Sequence, residues 1–150
     1  VAIGQGPNAV TMLRLAHFYS AIAGNGTAPE PFLVFSEGAG EGPGAIDLGL
    51  SEEGLQDLWA GLAKVIQPGG TAWLSSLEDW QIYGKTGTAQ NAGDDHGLFV
   101  GFSGKPGGEP EIVVASIIEH GLHGSDVSPL VAKVINHYLS RKHGFPVDPQ

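Results

Sequence analysis

Apolar residues in two parts of the chain recur at the three-and-four spacing of an amphipathic helix. Thr11 opens the first part, and Gly24-Asn25-Gly26 ends it. Ser51 opens the second, and Pro68-Gly69-Gly70 follows it. The pattern predicts helices over 11–23 and 52–66. Their apolar faces consist of Met12, Leu15, Ala16, Tyr19 and Ile22 in the first, and Leu55, Leu58, Trp59, Leu62, Val65 and Ile66 in the second.

After residue 70 the pattern changes from helical to extended. Strands are predicted over 80–89, 98–102 and 111–119, the third because it is rich in β-branched residues. The segment 103–110 between the last two is rich in Gly and Pro, which is typical of a hairpin turn. We therefore expect these two strands to be antiparallel.

Two further segments complete the secondary structure. The segment 29–50 is rich in Gly, Pro and Glu and is interpreted as a surface loop, with a short edge strand at 31–35. A closing helix is predicted to start at Ser128-Pro129, an N-cap followed by Pro at the first helical position, and to end before Gly144. The predicted order is thus helix, loop, helix, three strands and a closing helix, with the late strands antiparallel.

Composition narrows the range of functions. The chain has 150 residues, enough for about one domain, and its net charge is −9. This charge repels phosphate backbones, so nucleic acid is excluded as an expected partner. With no Cys, disulfides, thiolate chemistry and Cys-based metal sites are excluded. No apolar run is long enough to span a bilayer, and no export signal is visible.

Three motifs suggest cofactor or metal sites and are rejected. Gly4-x-Gly6-x-x-Ala9 matches a dinucleotide fingerprint, but no hydrophobic strand with an acidic end follows the first helix. Gly84-Lys85-Thr86 resembles the end of a P-loop, but Asp79 stands where that loop needs Gly. His120 and His123 have no suitably spaced acidic partner. We therefore predict neither a cofactor nor a metal.

Lys85 has an unusual electrostatic setting. It is the only charged residue between Asp79 and Asp94, in an acidic chain. Thr86 and Thr88 follow it on alternate positions, so their hydroxyls share one face of the predicted strand. Gly87 between them permits a ligand to approach the backbone. The pattern suggests a carboxylate-binding strand, and a solvent-facing edge strand with no ligand is the alternative.

The segment Lys85-Thr86-Gly87-Thr88-Ala89-Gln90 resembles the Lys-Thr-Gly box of penicillin-binding proteins and serine β-lactamases. Further stretches resemble class B transpeptidases in the same order, although Met12 replaces the usual Pro. They are Ile3-Gly4-Gln5-Gly6, Val10-Thr11, Leu13, Leu15-Ala16, Ala21-Ile22-Ala23, Asn25-Gly26, Gly69-Gly70-Thr71-Ala72, His96, Phe99-Val100-Gly101-Phe102 and Glu119-His120-Gly121. The Ile-Gly-Gln-Gly form is most similar to the elongation-type branch, the penicillin-binding protein 2 group.

This resemblance implies a serine D,D-transpeptidase that cross-links peptidoglycan and is acylated by β-lactams. The implied fold is α/β of the α+β type, a serine β-lactamase/transpeptidase-like antiparallel sheet flanked by helices, which is incomplete in this chain. Lys85 and Thr88 are the expected catalytic residues, and Thr86, Gly87, Thr88 and Gln90 the expected substrate-binding ones. The implied partners are stem peptides, β-lactams and other cell-wall synthesis proteins. The implied location is the outer face of the cytoplasmic membrane, with an anchor outside this chain.

The family's nucleophile lies in a Ser-x-x-Lys motif and its second motif is Ser-x-Asn, and this sequence contains neither. We therefore expect residues 1–150 to form the C-terminal part of a transpeptidase domain, dependent on the upstream part of the same domain and inactive alone. A non-catalytic peptidoglycan- or β-lactam-binding regulatory piece is the alternative. A β-lactam-hydrolysing relative or sensor is a third.

Overall fold

The computed structural model describes residues 9–34, 37, 42–90, 92–121 and 123–146. Their elements are, in order, α1 (Met12–Ala23), β1 (Thr27–Ala28), β2 (Ile46–Asp47), α2 (Glu52–Lys64), a 3-10 helix (Trp73–Ser75), β3 (Gln81–Ala89), β4 (His96–Gly104), β5 (Pro110–Ile118) and α3 (Gly124–His143). The strands β3, β4 and β5 form an antiparallel sheet in that order, and β1 pairs with β2. The predicted α+β class is confirmed.

Side-chain caps define the start of the first two helices, as the sequence predicts. Thr11 Oγ1 accepts a hydrogen bond from the Arg14 amide at 3.2 Å, and Ser51 Oγ accepts one from the Gly54 amide at 3.1 Å. The second helix ends at Lys64, two residues before the predicted end. The chain turns back there, because the Ala72 amide bonds the Val65 carbonyl at 2.9 Å.

The three predicted late strands are confirmed, and each is nine residues long. The predicted hairpin between the last two is confirmed as well, with Gly107 at a φ of 72° in its turn. The strand β4 is longer than the predicted 98–102 at both ends. It is the central strand, so neighbours on both sides supply backbone partners along its length.

Two sequence predictions are wrong. Residues 31–34 of the predicted edge strand are not a strand, and Phe35 lies outside the described residues. Pro29 and Pro31 have no amide hydrogen, so they cannot donate to a ladder that continues β1. The closing helix begins at Gly124 rather than at Ser128-Pro129.

The Pro inside the closing helix is accommodated by a side chain. Pro129 lacks the amide that would donate to the Ser125 carbonyl one turn earlier. Ser128 Oγ donates to that carbonyl instead, at 2.9 Å. The helix therefore passes through Pro129, and the N-cap signature at Ser128 misplaces its start.

The sheet separates two hydrophobic clusters, because alternate residues of each strand point to opposite faces. One face packs against α3, and the other packs against α1 and α2. The α3-side cluster includes Trp80, Ile82, Phe99, Val127, Val131, Ile135 and Leu139. The cluster on the side of α1 and α2 includes Tyr19, Ile22, Leu62, Val100 and Phe102.

Several large apolar side chains remain exposed on these elements. Leu13 and Phe18 lie on α1, and Leu130, Val134 and Tyr138 recur every four residues along the outer side of α3. Within the described residues, no helix combines the length and the apolar character needed to cross a bilayer.

Candidate functional site

The strand β3 carries the candidate site at one edge of the described sheet. Only β4 pairs with it among the described strands, with Lys85 opposite Val100 and Thr88 opposite Gly97. The other edge of β3 has no described strand beside it. Such an edge presents backbone donors and acceptors to a ligand.

Lys85 is exposed on this strand, and its Nζ donates to the Thr86 carbonyl oxygen at 2.8 Å. Among the described residues, none places a carboxylate within ion-pair distance of Lys85 Nζ. Lys85 points to the same side of the sheet as Tyr83, the side that packs against α1 and α2. The Lys85 side chain therefore leaves the strand on the face away from the Thr86 and Thr88 hydroxyls.

Thr86 and Thr88 share the opposite side of the strand, as the alternation predicts. Thr88 is exposed and Thr86 is half-buried. Thr86 Oγ1 lies 2.8 Å from Thr71 Oγ1 in the loop after α2. Gln90 is exposed and directly follows the strand.

The glycine of the box, Gly87, is approached closely by another part of the protein. A Cβ at Gly124, the first residue of α3, would lie 2.7 Å from the Gly87 amide nitrogen and 2.5 Å from its carbonyl oxygen. The start of α3 is therefore pressed against the backbone of Gly87. From the sequence, such a close approach to Gly87 is expected of a ligand, and the structure shows one made by the protein itself.

Two histidines form a contact at the end of the strand pair. The rings of His96 and His120 have centroids 5.0 Å apart, and the His120 amide donates to His96 Nδ1 at 3.0 Å. Within the described part of the chain, no cluster of three or more His, Asp or Glu residues is arranged to hold a metal ion.

The sequence reasoning gave no role to Thr71, which contacts the box directly. Thr71 belongs to Gly69-Gly70-Thr71-Ala72, a stretch that carries the family resemblance, and this was the available signal. The stretch Ile3-Gly4-Gln5-Gly6 and the rejected fingerprint that begins at Gly4 lie outside the described residues, except for Ala9.

Taken as chemistry, the strand offers an exposed cation, two hydroxyls on one face and an edge of backbone groups. This arrangement suits a ligand with a carboxylate attached to an extended backbone. It contains no Ser in a Ser-x-x-Lys setting and thus no evident nucleophile of that type.

Comparisons with known proteins agree with the resemblance of the Lys-Thr-Gly box to that of penicillin-binding proteins. The family model of the penicillin-binding protein transpeptidase domain matches residues 1–137. The peptidoglycan D,D-transpeptidase MrdA of Acinetobacter baumannii is 32% identical over 99% of this chain and 25% of its own length.

Solved structures show the same similarity. The Pseudomonas aeruginosa PBP2 structure in complex with WCK 5153 has a TM-score of 0.80 and 33% identity over 95% of this chain and 32% of that one. The PBP2 of the Helicobacter pylori complex with MreC has a TM-score of 0.77 and 28% identity over 95% of this chain and 26% of that one.

The helix-flanked antiparallel sheet of this chain is thus shared with the solved structures of penicillin-binding proteins. The chain belongs to the penicillin-binding protein transpeptidase domain family. Its similarity is to the class B, PBP2-like branch, as the sequence predicts. The chain spans about a quarter to a third of the length of these relatives.

Proposed function

We propose that residues 1–150 belong to a peptidoglycan D,D-transpeptidase that cross-links the cell wall by serine acyl transfer. The observation that carries the proposal is the edge strand β3, with Lys85 exposed and the Thr86 and Thr88 hydroxyls on one face. The family membership of the chain supports it independently.

The proposed reaction has two steps. A Ser hydroxyl attacks the carbonyl between the two D-alanines of a stem peptide, the C–N bond breaks, and the terminal D-Ala leaves as the free amine. An amine of a neighbouring stem peptide then attacks the acyl-enzyme, the C–O ester bond breaks, and the Ser hydroxyl is regenerated. A β-lactam would acylate the same Ser.

The site residues would act on the leaving group and on the developing charge. Lys85 would supply positive potential and hydrogen bonding near the nucleophile. The hydroxyls of Thr86 and Thr88 would donate to the terminal carboxylate, and the Thr88 amide would serve as one oxyanion donor. Gly87 has no side chain and would let the ligand approach the backbone of β3. Gln90 would lie at the edge of the ligand site.

The nucleophile would come from outside this sequence, because no Ser here has Lys three residues later. We call the protein that contains residues 1–150 together with a Ser-x-x-Lys segment the complete enzyme. The exposed apolar residues of α1 and α3 support this proposal, since they offer surface for further elements of such a domain.

The proposed partners follow from the same chemistry and family. They are stem peptides and β-lactams at the site, and other cell-wall synthesis proteins elsewhere. The H. pylori PBP2 relative forms a complex with MreC, which supports the last group. The proposed location is the cell envelope, at the outer face of the cytoplasmic membrane.

The lack of Ser-x-x-Lys and Ser-x-Asn in this sequence favours a second candidate, a non-catalytic piece that binds the same ligands. Both candidates use the β3 strand. They differ in whether a covalent acyl-enzyme forms.

Labelling with fluorescent penicillin tests the proposal. The complete enzyme is expected to be labelled at a Ser of its Ser-x-x-Lys segment, and residues 1–150 alone are expected to remain unlabelled. An unlabelled complete enzyme would support the non-catalytic candidate. Stoichiometric labelling of a Ser within residues 1–150 would show that the nucleophile has been misassigned.

A further inference from the structure

The turn between β5 and α3 is held to the start of β4 by His96. His96 is the first residue of β4 and pairs with Ala89, the last residue of the box strand. Its Nδ1 accepts the backbone amide hydrogen of His120 at 3.0 Å. An imidazole nitrogen can accept only while it carries no proton, so the contact requires an unprotonated Nδ1.

His120 also contacts the segment just before β4. Its φ of 56° lies in the left-handed region, which few residues other than Gly adopt readily. Its Nδ1 donates to the Asp94 carbonyl oxygen at 3.2 Å, since a carbonyl can only accept. The two imidazoles meet edge to face, with centroids 5.0 Å apart. Two hydrogen bonds and a ring contact thus fix one strained turn.

This turn precedes the start of α3. The Gly121 amide bonds the Ile118 carbonyl at 3.2 Å, and the His123 amide bonds the Gly121 carbonyl at 2.9 Å. Gly124 follows, pressed against the backbone of Gly87. A Cβ on Gly97, opposite Thr88, would likewise lie 2.7 Å from the His123 carbonyl oxygen. His123 and Gly124 therefore lie directly against the box strand and its partner β4.

We propose that His96 is a positioning residue for the box strand: by holding the His120 turn, it sets the position of Gly124 and hence of Gly87 and Thr88. This inference rests on the proposed function of β3. His96 acts through the turn and touches no reacting atom. Its acceptor at the δ position is the group that matters.

Paired substitutions separate the two ring nitrogens of His96. In the complete enzyme, His96→Asn keeps an acceptor at the δ position, whereas His96→Gln keeps one only at the ε position. The Gln variant is expected to lose about tenfold in the second-order rate constant of acylation by penicillin, and the Asn variant to stay within about threefold of wild type. His137→Gln is the matched control, because His137 is exposed on α3, and should leave the rate unchanged.

The outcomes distinguish this inference from the proposed function. A wild-type complete enzyme that penicillin does not label contradicts the proposed function itself. A labelled wild type with Asn and Gln variants of equal rate contradicts the role of His96. Melting temperatures are measured in parallel, since a merely structural role would lower stability in both variants without rescue of acylation by Asn.

Hydrogen exchange gives a second readout that does not depend on the Gln variant folding. The peptide that contains His120 should exchange equally slowly in the wild type and in His96→Asn. Faster exchange of that peptide in the Asn variant than in the wild type would overturn the proposal, because the δ acceptor would then not be what holds the amide.

Discussion

The hydroxyl oxygens of Thr71 and Thr86 lie 2.8 Å apart, across the space between the loop after α2 and the strand β3. The loop is held in place by its own backbone, since the Gly70 amide bonds the Gln67 carbonyl at 2.8 Å. A Cβ on Gly70 would lie 2.3 Å from the Val65 carbonyl oxygen, so the loop lies tightly on the end of α2.

Binding of a carboxylate would fix the direction of both hydroxyl hydrogens of the Thr71–Thr86 pair. A carboxylate accepts hydrogen bonds but does not donate them, so it would require the single hydroxyl proton of Thr86. The Thr71 proton must then point to Thr86, and each bond polarises the other. Thr71 would thus support the ligand contact of Thr86.

Replacing Thr71 by Val in the complete enzyme should reduce penicillin acylation by about three- to tenfold, the effect of one neutral hydrogen bond. Thr71→Ser keeps the hydroxyl and should remain near wild type. Stopped-flow or gel-based acylation rates are the measurement. Equal rates in Val, Ser and wild type would mean that the pair plays no part in ligand capture.

Replacing Lys85 by Ala should lower the acylation rate constant about a hundredfold or more, as for other preorganised electrostatic groups. Thermal stability should hardly change, because Lys85 is exposed and, among the described residues, its Nζ bonds only the adjacent Thr86 carbonyl. Lys105→Ala, in the exposed hairpin turn, removes an equal charge and serves as the control. Normal acylation in a folded Lys85 variant would refute the assigned site.

Replacing Thr88 by Val should weaken acylation by about ten- to a hundredfold, because a hydrogen bond to a charged carboxylate would be lost. Thr88→Ser retains the hydroxyl and the backbone amide, and its effect should be mild. The comparison is made with a carboxylate-bearing penicillin. The hydroxyl role would have to be abandoned if the two variants behaved alike.

The three long strands and two of the helices could be predicted from sequence because their signals are local, whereas the short pair β1 and β2 was not predicted. Alternation alone places Thr86 and Thr88 on one face, and Thr11 and Ser51 cap helices where their side chains indicate. The start of α3 was mispredicted because Ser128-Pro129 has the form of a helix start.

The contacts of the site were less predictable, because they depend on the path of loops. The Thr71–Thr86 pair depends on how the chain turns back from α2. The His96–His120 contact depends on the register of β4 with β5 and on a left-handed residue. Neither the path of the loop nor the register of the strands can be predicted from residue spacing along the sequence.

The buried pair Ser75 and Ser128 provides a stability prediction. Ser128 Oγ–H donates to the Ser125 carbonyl, so Ser75 Oγ–H must donate to Ser128 Oγ, at 2.8 Å. Ser128→Ala would leave the Ser75 hydroxyl and the Ser125 carbonyl without this hydrogen-bond partner. It should lower the free energy of unfolding of the complete enzyme by about 1–3 kcal/mol. Ser125→Ala, which removes only an exposed hydroxyl, is the control in the same denaturant titration. A loss no larger than that of Ser125→Ala would contradict the conclusion that the Ser128 hydroxyl replaces the hydrogen bond that Pro129 cannot donate.

Glu111 ties β5 to the end of α3, and this tie should depend on pH. Its carboxylate lies 2.8 Å from Lys142 Nζ and 3.0 Å from His143 Nε2. The hydrogen bond from Lys142, and secondarily the contact with His143, hold the pKa of Glu111 below its ordinary value of 4.5 against the opposing effect of burial.

Because the pKa of Glu111 is lower in the folded protein, the unfolded chain binds this proton first as pH falls. The stabilisation is complete well above pH 4.5 and is lost as pH falls through the lowered folded pKa. Because such solvent-screened pairs stabilise a fold only weakly, Glu111→Gln should lower the melting temperature of the complete enzyme by no more than about 2–4 °C at neutral pH. Glu109→Gln, in the exposed turn, should not. The difference between wild type and Glu111→Gln should shrink steadily as the pH is lowered below 4.5. A difference that stays constant or grows on acidification would show that Glu111 stabilises the fold by packing rather than by charge.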